Sequence, residues 1–255
     1  MNILFTICGR GGSKGLKNKN INRMNDVPLV YYTLSIISMY KKSHNDDNVF
    51  IALNTDSEQL IDITTRQTIL EDIRIVDRKP ELAGDKVPKV DVIRDTYDVC
   101  GRDFDVVIDL DITSPFRTLS DLEHLINEYK SNSDYDLVFS VVPARRSPYF
   151  NMVEKKGDFY KKICESSFTT RQEAPASYEL NASMYAYRPR FLESGFKDTI
   201  LDHNCGIVVM KDYLVLDIDS EEDYKMMQVL HRLYIESDNE LREVYEEAKR
   251  FVEKE

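Results

Sequence analysis

Nearly continuous apolar runs alternate with amphipathic stretches along the first 140 or so residues. Ile3–Cys8, Val49–Leu53, Asp105–Leu110 and Leu137–Val142 are short and rich in β-branched residues. That is the pattern of strands buried on both faces. Ile73–Val76 is a shorter strand of the same kind. Between them, Pro28–Ile37, Ser57–Leu70, Lys89–Val99 and a stretch from Ser120 or Asp121 to Tyr129 have helical spacing. Proline suits the first turn of the first of these, and Asn54–Ser57 is a helix-start signal before the second. Strands alternating with helices predict a mostly parallel sheet covered on both faces. Ligands of such sheets sit beyond the carboxyl ends of the strands. Gly9–Asn20, Asn54–Ser57 and Asp111–Arg117 each follow a strand end, so all three are expected around one crevice.

The pattern changes at Pro143. Arg145–Arg171 is polar, aromatic and irregular, with Gly157-Asp158 as a hairpin turn. Residues 143–180 therefore read as an arm inserted in a single domain spanning 1–255. Beyond it, Ala182–Tyr187, Cys205–Met210 and Tyr213–Leu216 read as strands, and Glu221–Ile235 and Asn239–Val252 as helices. The last is highly charged, with one apolar stripe to pack.

Composition narrows the partners. The chain has 255 residues, 42% of them hydrophobic, and a net charge of −11. That charge argues against nucleic acid or an anionic membrane as main partner. No apolar run is long enough to span a bilayer, and the N-terminus enters a strand without a signal-peptide layout. Cys8, Cys100, Cys164 and Cys205 lack metal-ligand spacing and read as free thiols of a cytoplasmic protein.

Against this acidic background, the segment after the first strand is basic. Gly9, Gly11, Gly12 and Gly15 accompany Arg10, Lys14, Lys17, Lys19 and Arg23, with no acid between Gly9 and Met24. A strand running into such a loop can point successive backbone N–H groups into one concavity and cradle phosphate. The dinucleotide fingerprint fails because Lys14 stands where a third glycine belongs, and the P-loop order fails because Ser13 precedes Lys14. Asp217 and Asp219 read as the close of a strand, with both carboxylates on one face; such a pair with substrate phosphate suits Mg²⁺, while helix capping is the bland alternative. Asp109 and Asp111 form a second alternating pair. The histidines (His44, His124, His203, His231) read as ordinary surface or cap residues. Cations and a metal around a phosphate suit phosphoryl or nucleotidyl transfer, in which the protein mainly positions groups and neutralises charge.

Cys8-Gly-Arg-Gly-Gly-Ser-Lys-Gly-Leu with Lys19-Asn20 resembles the opening motif of the acylneuraminate cytidylyltransferases. Further matches follow in order: Thr55-Asp56, Arg78-Lys-Pro-Glu-Leu-Ala-Gly-Asp, Thr113-Ser-Pro-Phe-Arg-Thr, Arg171-Gln, Asn181 and Leu216-Asp-Ile-Asp-Ser-Glu-Glu-Asp. They extend to about Leu230. The resemblance implies a Rossmann-like three-layer α/β sandwich of the nucleotide-diphospho-sugar transferase type. It also implies joining of CTP to a nine-carbon 2-keto sugar acid with release of pyrophosphate, a Mg²⁺ cofactor, and a homodimer formed through the arm. By the same resemblance, Arg10, Gly11, Gly12, Ser13 and Lys14 would hold the triphosphate, and Lys19 would lie by the α-phosphate. Asn20 and Arg78 would contact ribose and cytosine, Arg171 and Asn181 the sugar acid, and Asp217 and Asp219 the metal. Asp111 and Glu179 depart from the glutamine and arginine of sialic acid enzymes, and Lys86-Val-Pro-Lys89 replaces a small hydroxyl run. The Asn-Ala-Ser variant is similar to the legionaminic acid branch, so a nonulosonic acid other than N-acetylneuraminate is expected. The rival expectations are CMP-Kdo synthesis on a shorter sugar acid and a non-catalytic nucleotide binder. A sugar-phosphate hydrolase would need an Asp-x-Asp at the first strand, which is absent there.

Overall fold

A computed structural model describes residues 1–12 and 15–255. Among the described residues the chain runs β1 (Asn2–Gly9), a small pair β2 (Arg23–Met24) and β3 (Val27–Pro28), α1 (Leu29–Ser43), β4 (Asn48–Thr55), α2 (Glu58–Arg66) and β5 (Ile73–Asp77). It continues with α3 (Lys89–Cys100), β6 (Val106–Leu110), α4 (Leu119–Ser131), β7 (Leu137–Pro143), β8 (Val153–Lys156), β9 (Phe159–Lys162) and β10 (Tyr178–Tyr187). It ends with α5 (Pro189–Glu193), β11 (Cys205–Val209), α6 (Glu221–Ser237) and α7 (Asn239–Glu253).

The central sheet has the order β5-β4-β1-β6-β10-β7-β11. Neighbours are parallel except β10, which runs antiparallel to β6 and β7. Alternation along β1 shows how the layers arise. Ile3, Phe5 and Ile7 pack on the side of α1, α4 and α7, whereas Leu4 faces the side of α3 and α5. Helices thus cover both faces, giving three layers. The helix α1 is apolar almost all round and lies at the centre of the larger core. In α7, Leu241, Val244, Ala248 and Phe251 form the buried stripe.

Two elements depart from the pattern reading. The segment Tyr213–Leu216 is not a strand: Asp212–Val215 forms a short 3₁₀ turn. A four-residue apolar run has no period that separates a strand from one helical turn. Here the Leu214 N–H donates to Lys211 O, and the Asn181 amide donates to Leu214 O. The second helix ends at Arg66 rather than Leu70, because Gln67 is extended and its side-chain oxygen accepts from the N–H groups of Ile69 and Leu70. Within 143–180, β8 and β9 pair only with each other, and Val153, Phe159 and Tyr160 stand exposed on them. No helix of the described residues is long and apolar enough to cross a membrane.

His231 is a core residue, only 1% exposed, contrary to the surface reading. Its ring fits one neutral tautomer. Asn25 donates to Nδ1, Nε2–H donates to the Tyr32 hydroxyl at 2.8 Å, and that hydroxyl donates to Met24 O at 3.0 Å. Protonating Nδ1 would set two donors against each other. Burial, helped by Arg232, pushes the imidazole down to about 4. The unfolded chain therefore binds a proton that the folded one refuses. Stability should fall as pH drops from about 6.5 to about 4, by up to about 3 kcal/mol, and level off below. Urea unfolding across that window should show this loss, and His231→Gln should flatten the slope; an unchanged slope would reject the assignment.

Candidate functional site

The cationic loop leaves β1 at Gly9, where a Cβ would come 2.5 Å from Leu60 Cδ2. Asn20, itself buried, donates to Arg10 O at 3.0 Å and folds the loop back on its start. The Gly11 N–H donates to Asp56 at 2.7 Å. Arg10 pairs with Asp85 at 2.5 Å, and Lys19 pairs with Asp219 at 2.8 Å. Gly15 passes so close to the Asp219 backbone that a Cβ would lie 2.3 Å from its carbonyl oxygen. The expected phosphate ligands Ser13 and Lys14 lie outside the described residues.

The opposite wall comes from the segments after β5 and β6 and the start of α3. Arg78 donates through Nε to Asn54 Oδ1 at 2.8 Å and through Nη2 to Asn54 O at 2.9 Å. Its guanidinium is thereby fixed by neutral oxygens. Lys89, at the first turn of α3, reaches Asp109 at 2.7 Å and Asp111 at 2.6 Å. Thr113 donates its N–H and hydroxyl to Asp111 Oδ1, at 2.8 and 2.7 Å. Burial alone would push the Asp111 carboxyl up, but Lys89 and Thr113 outweigh it and hold it well below the usual range. Burial and the Asp109 charge push the Cys8 thiol up, so it is a poor nucleophile.

These walls enclose a cavity of about 330 Å³. Arg10, Lys19, Asn20, Arg78, Asp111 and Asp219 all line it. Gly11 and Gly12 are exposed in the same loop. Arg171, Glu179 and Asn181 are not among the described residues lining it. Arg171 is exposed and donates to Ala144 O at 3.0 Å. Glu179 is half-buried on β10. Asn181 is 2% exposed; Ser140 donates to its Oδ1 at 2.6 Å, and its Nδ2 donates to Leu214 O at 3.2 Å. The cause is local. The register of β10 shifts between Leu180 and Tyr185, and Ala182 sits at φ 53°, which turns the Asn181 amide into the core.

Asp217 and Asp219 do not close a strand; they lie in an irregular link between the 3₁₀ turn and α6. Buried Ile218 anchors that link, its N–H donating to Thr113 O at 3.0 Å. Asp219 faces the cavity, and Asp217 is half-buried beside it. Burial, then the charges of Asp219 and Asp111, push the Asp217 carboxyl up to about 6. Crowded acids of this kind fit a divalent cation, which would relieve their repulsion. Among the described residues no group of three or more His, Cys, Asp or Glu could hold a metal alone. Substrate oxygens would have to complete the shell, as is usual for Mg²⁺.

Two residues escaped the motif reading. Lys89 stood out only as a departure in sequence, because its carboxylate partners are 20 and 22 positions away. Arg117 is fully buried and donates to the carbonyls of Asp111 and Ser114, clamping the turn that presents Asp111. The Ser-Pro-Phe-Arg run contained it, but no spacing rule assigns an arginine to backbone carbonyls.

A mostly parallel α/β sheet whose strand ends carry a glycine-rich cationic loop facing Asp219 and Asp111 fits the nucleotidyltransferase class. The family model for cytidylyltransferases matches residues 4–254, and the chain belongs to that family. It is an enzyme, a CTP-dependent nucleotidyltransferase. It is 35% identical over 234 residues to the post-translational flagellin modification protein B of Campylobacter coli, covering 89% of this chain and 94% of that one. It is 34% identical over 235 residues to the CMP-N,N'-diacetyllegionaminic acid synthase of Campylobacter jejuni, with the same coverage. The N-acylneuraminate cytidylyltransferase A of Danio rerio is 27% identical and is covered over 50% of its length. A solved CMP:2-keto-3-deoxy-manno-octonic acid synthetase, in complex with CTP, superposes with a TM-score of 0.63 at 13% identity, covering 91% of this chain and 99% of that one. At that identity it shows the fold alone. Cytidylyltransferases of this kind typically use a divalent metal.

Proposed function

We propose that the protein joins CMP from CTP to the anomeric hydroxyl of a nine-carbon 2-keto sugar acid of the sialic or legionaminic type, releasing pyrophosphate. The supporting observation is that Arg10, Lys19 and Arg78 share one cavity with Asp111 and Asp219. The likeness to the Campylobacter jejuni synthase over nearly the whole chain supports the acceptor class.

In this reading Arg10, Lys14, Ser13 and the amides of Gly11 and Gly12 hold the β- and γ-phosphates, and Lys19 lies by the α-phosphate. Exposed ion pairs such as Arg10–Asp85 contribute about 0–1 kcal/mol, so a triphosphate can take over Arg10 at little cost. Asn20 and Arg78 orient ribose and cytosine. Asp111 faces the sugar acid, with Glu179 and Arg171 contributed by the arm of a second copy. Asn181 shapes that end from behind. Asp217 and Asp219 would hold Mg²⁺, which when bound supplies charge neutralisation and lowers the pKa of the attacking hydroxyl. Lys19, paired with Asp219 in this structure, would stabilise charge on the phosphate. The arm 143–180, with exposed Val153, Phe159 and Tyr160, is the dimer contact of a cytoplasmic homodimer.

The test is pyrophosphate release from CTP across a panel of keto-acid sugars. Turnover should occur with nonulosonic acids, fastest with a 5,7-diacetamido sugar. Preference for an eight-carbon acid, or no release with any, would reject the reading.

A further inference from the structure

Lys89 is oddly placed for a structural residue. It opens α3, where the helix dipole disfavours a cation. Its side chain leaves that terminus and enters the cavity wall, where it meets two carboxylates. Those carboxylates differ. Asp109 is wholly enclosed, with Thr6 Oγ1 donating to it at 2.9 Å, and it anchors the ammonium from below. The Asp111 side chain is 20% exposed and that of Lys89 34%, both toward the cavity. Asp109 closes the pair off from below, and Asp111 with Lys89 stays open toward the cavity.

The donor count is specific. An ammonium has three N–H groups; one donates to Asp111 Oδ2, and Asp109 lies within ion-pair reach at 2.7 Å. Asp111 Oδ1 already accepts twice from Thr113, whereas Oδ2 accepts from Lys89 and keeps a further lone pair. An ionised carboxylate can only accept. The wall therefore offers one acceptor on Asp111 and one donor on Lys89, side by side.

We infer that Lys89 is a specificity-determining residue for the sugar acid: it fixes Asp111 as an acceptor-only group and pairs it with its own N–H, so that the wall selects substrates presenting a hydroxyl or amide N–H there. The inference rests on the acceptor class proposed above. A ligand lacking that donor leaves the free lone pair of Asp111 Oδ2 unsatisfied in a partly desolvated wall, the kind of mismatch that gives discrimination. Of the nucleotide contacts, Arg10, Lys19 and Asn20 come from the opposite loop; Arg78 shares the wall but is held by Asn54, not by Lys89 or Asp111, so it should keep its place.

The experiment compares wild type, Lys89→Met, Lys89→Arg and Lys89→Met/Asp111→Asn. The double variant removes the two cavity-facing charges; because Lys89→Met also leaves enclosed Asp109 without its cation, Lys89→Met/Asp109→Asn is measured beside it to separate that folding cost, which melting temperature monitors. KM and kcat are measured for CTP, for the preferred sugar acid and for analogues of it that are deoxygenated or O-methylated at single positions. Wild type should reject one such analogue by about 10²-fold or more in kcat/KM. Lys89→Met should raise KM for the sugar acid at least about tenfold, with KM for CTP little changed. Lys89→Met/Asp111→Asn should cut the discrimination to a few-fold, and Lys89→Arg should restore part of it. Equal rises in both KM values, or unchanged discrimination in folded variants, would overturn the inference while leaving the acceptor class intact. Wild type that turns over no keto-acid sugar would overturn both.

Discussion

Asp219→Asn should lower kcat about 10²- to 10³-fold and raise the half-saturating concentration of divalent ion about 10- to 100-fold. Little else should change. The Asp219 side chain is 71% exposed, and its ion pair with Lys19 is of the exposed kind that adds at most about 1 kcal/mol. The melting temperature should therefore stay near wild type. Asparagine keeps the shape and one oxygen but loses the charge that a cation needs. The neighbouring Asp217 loses one of the two carboxylates that crowd it, yet a single partly buried carboxylate is a poor substitute for two. A titration with Mg²⁺ at saturating CTP separates the cases. An unchanged half-saturation point would remove Asp219 from the metal site, whatever happened to kcat.

Gly15→Ala should be nearly as damaging, for a geometric reason. The new Cβ would stand 2.3 Å from the Asp219 carbonyl oxygen. That oxygen belongs to backbone, so no side chain can swing aside. Either the loop or the 217–219 link must move by about an ångström, and displacement on that scale can cost about 10² in rate. Gly15 lies on an exposed loop, so the strain is relieved by displacement rather than by unfolding. The expected outcome is a drop of about 10² in kcat/KM with a melting temperature close to wild type. Activity within a few-fold of wild type would show that loop and link need not be so closely apposed.

The layered core was legible because strands buried on both faces read as unbroken apolar runs, and Ile3–Ile7 and Leu137–Val142 are of that kind; Val49–Leu53 reads the same way although Phe50 is half exposed. Strand direction is absent from such a pattern, so the antiparallel β10 could be recognised as a strand but not oriented. Tyr213–Leu216 was misjudged because its fate depends on Asn181, 33 positions before Leu214, which captures a backbone oxygen the run would need in a ladder. The glycine-rich loop was legible as chemistry, since its charge stands out locally in an acidic chain. The opposite wall was not. Asp111 shows in sequence as one of an alternating pair, but its meaning depends on Lys89 arriving from another helix and on Arg117 holding the turn from inside the core. Motif matching located Asn181 and could not show that a bulge at Ala182 turns its amide inward.

The most direct test is a crystal structure of the protein with CTP and a divalent ion. The triphosphate should lie along the Gly9–Asn20 loop, with Arg10 parted from Asp85, Lys19 parted from Asp219, and the ion between phosphate and the 217–219 carboxylates. Nucleotide bound elsewhere, with both ion pairs intact and the loop unoccupied, would contradict the account.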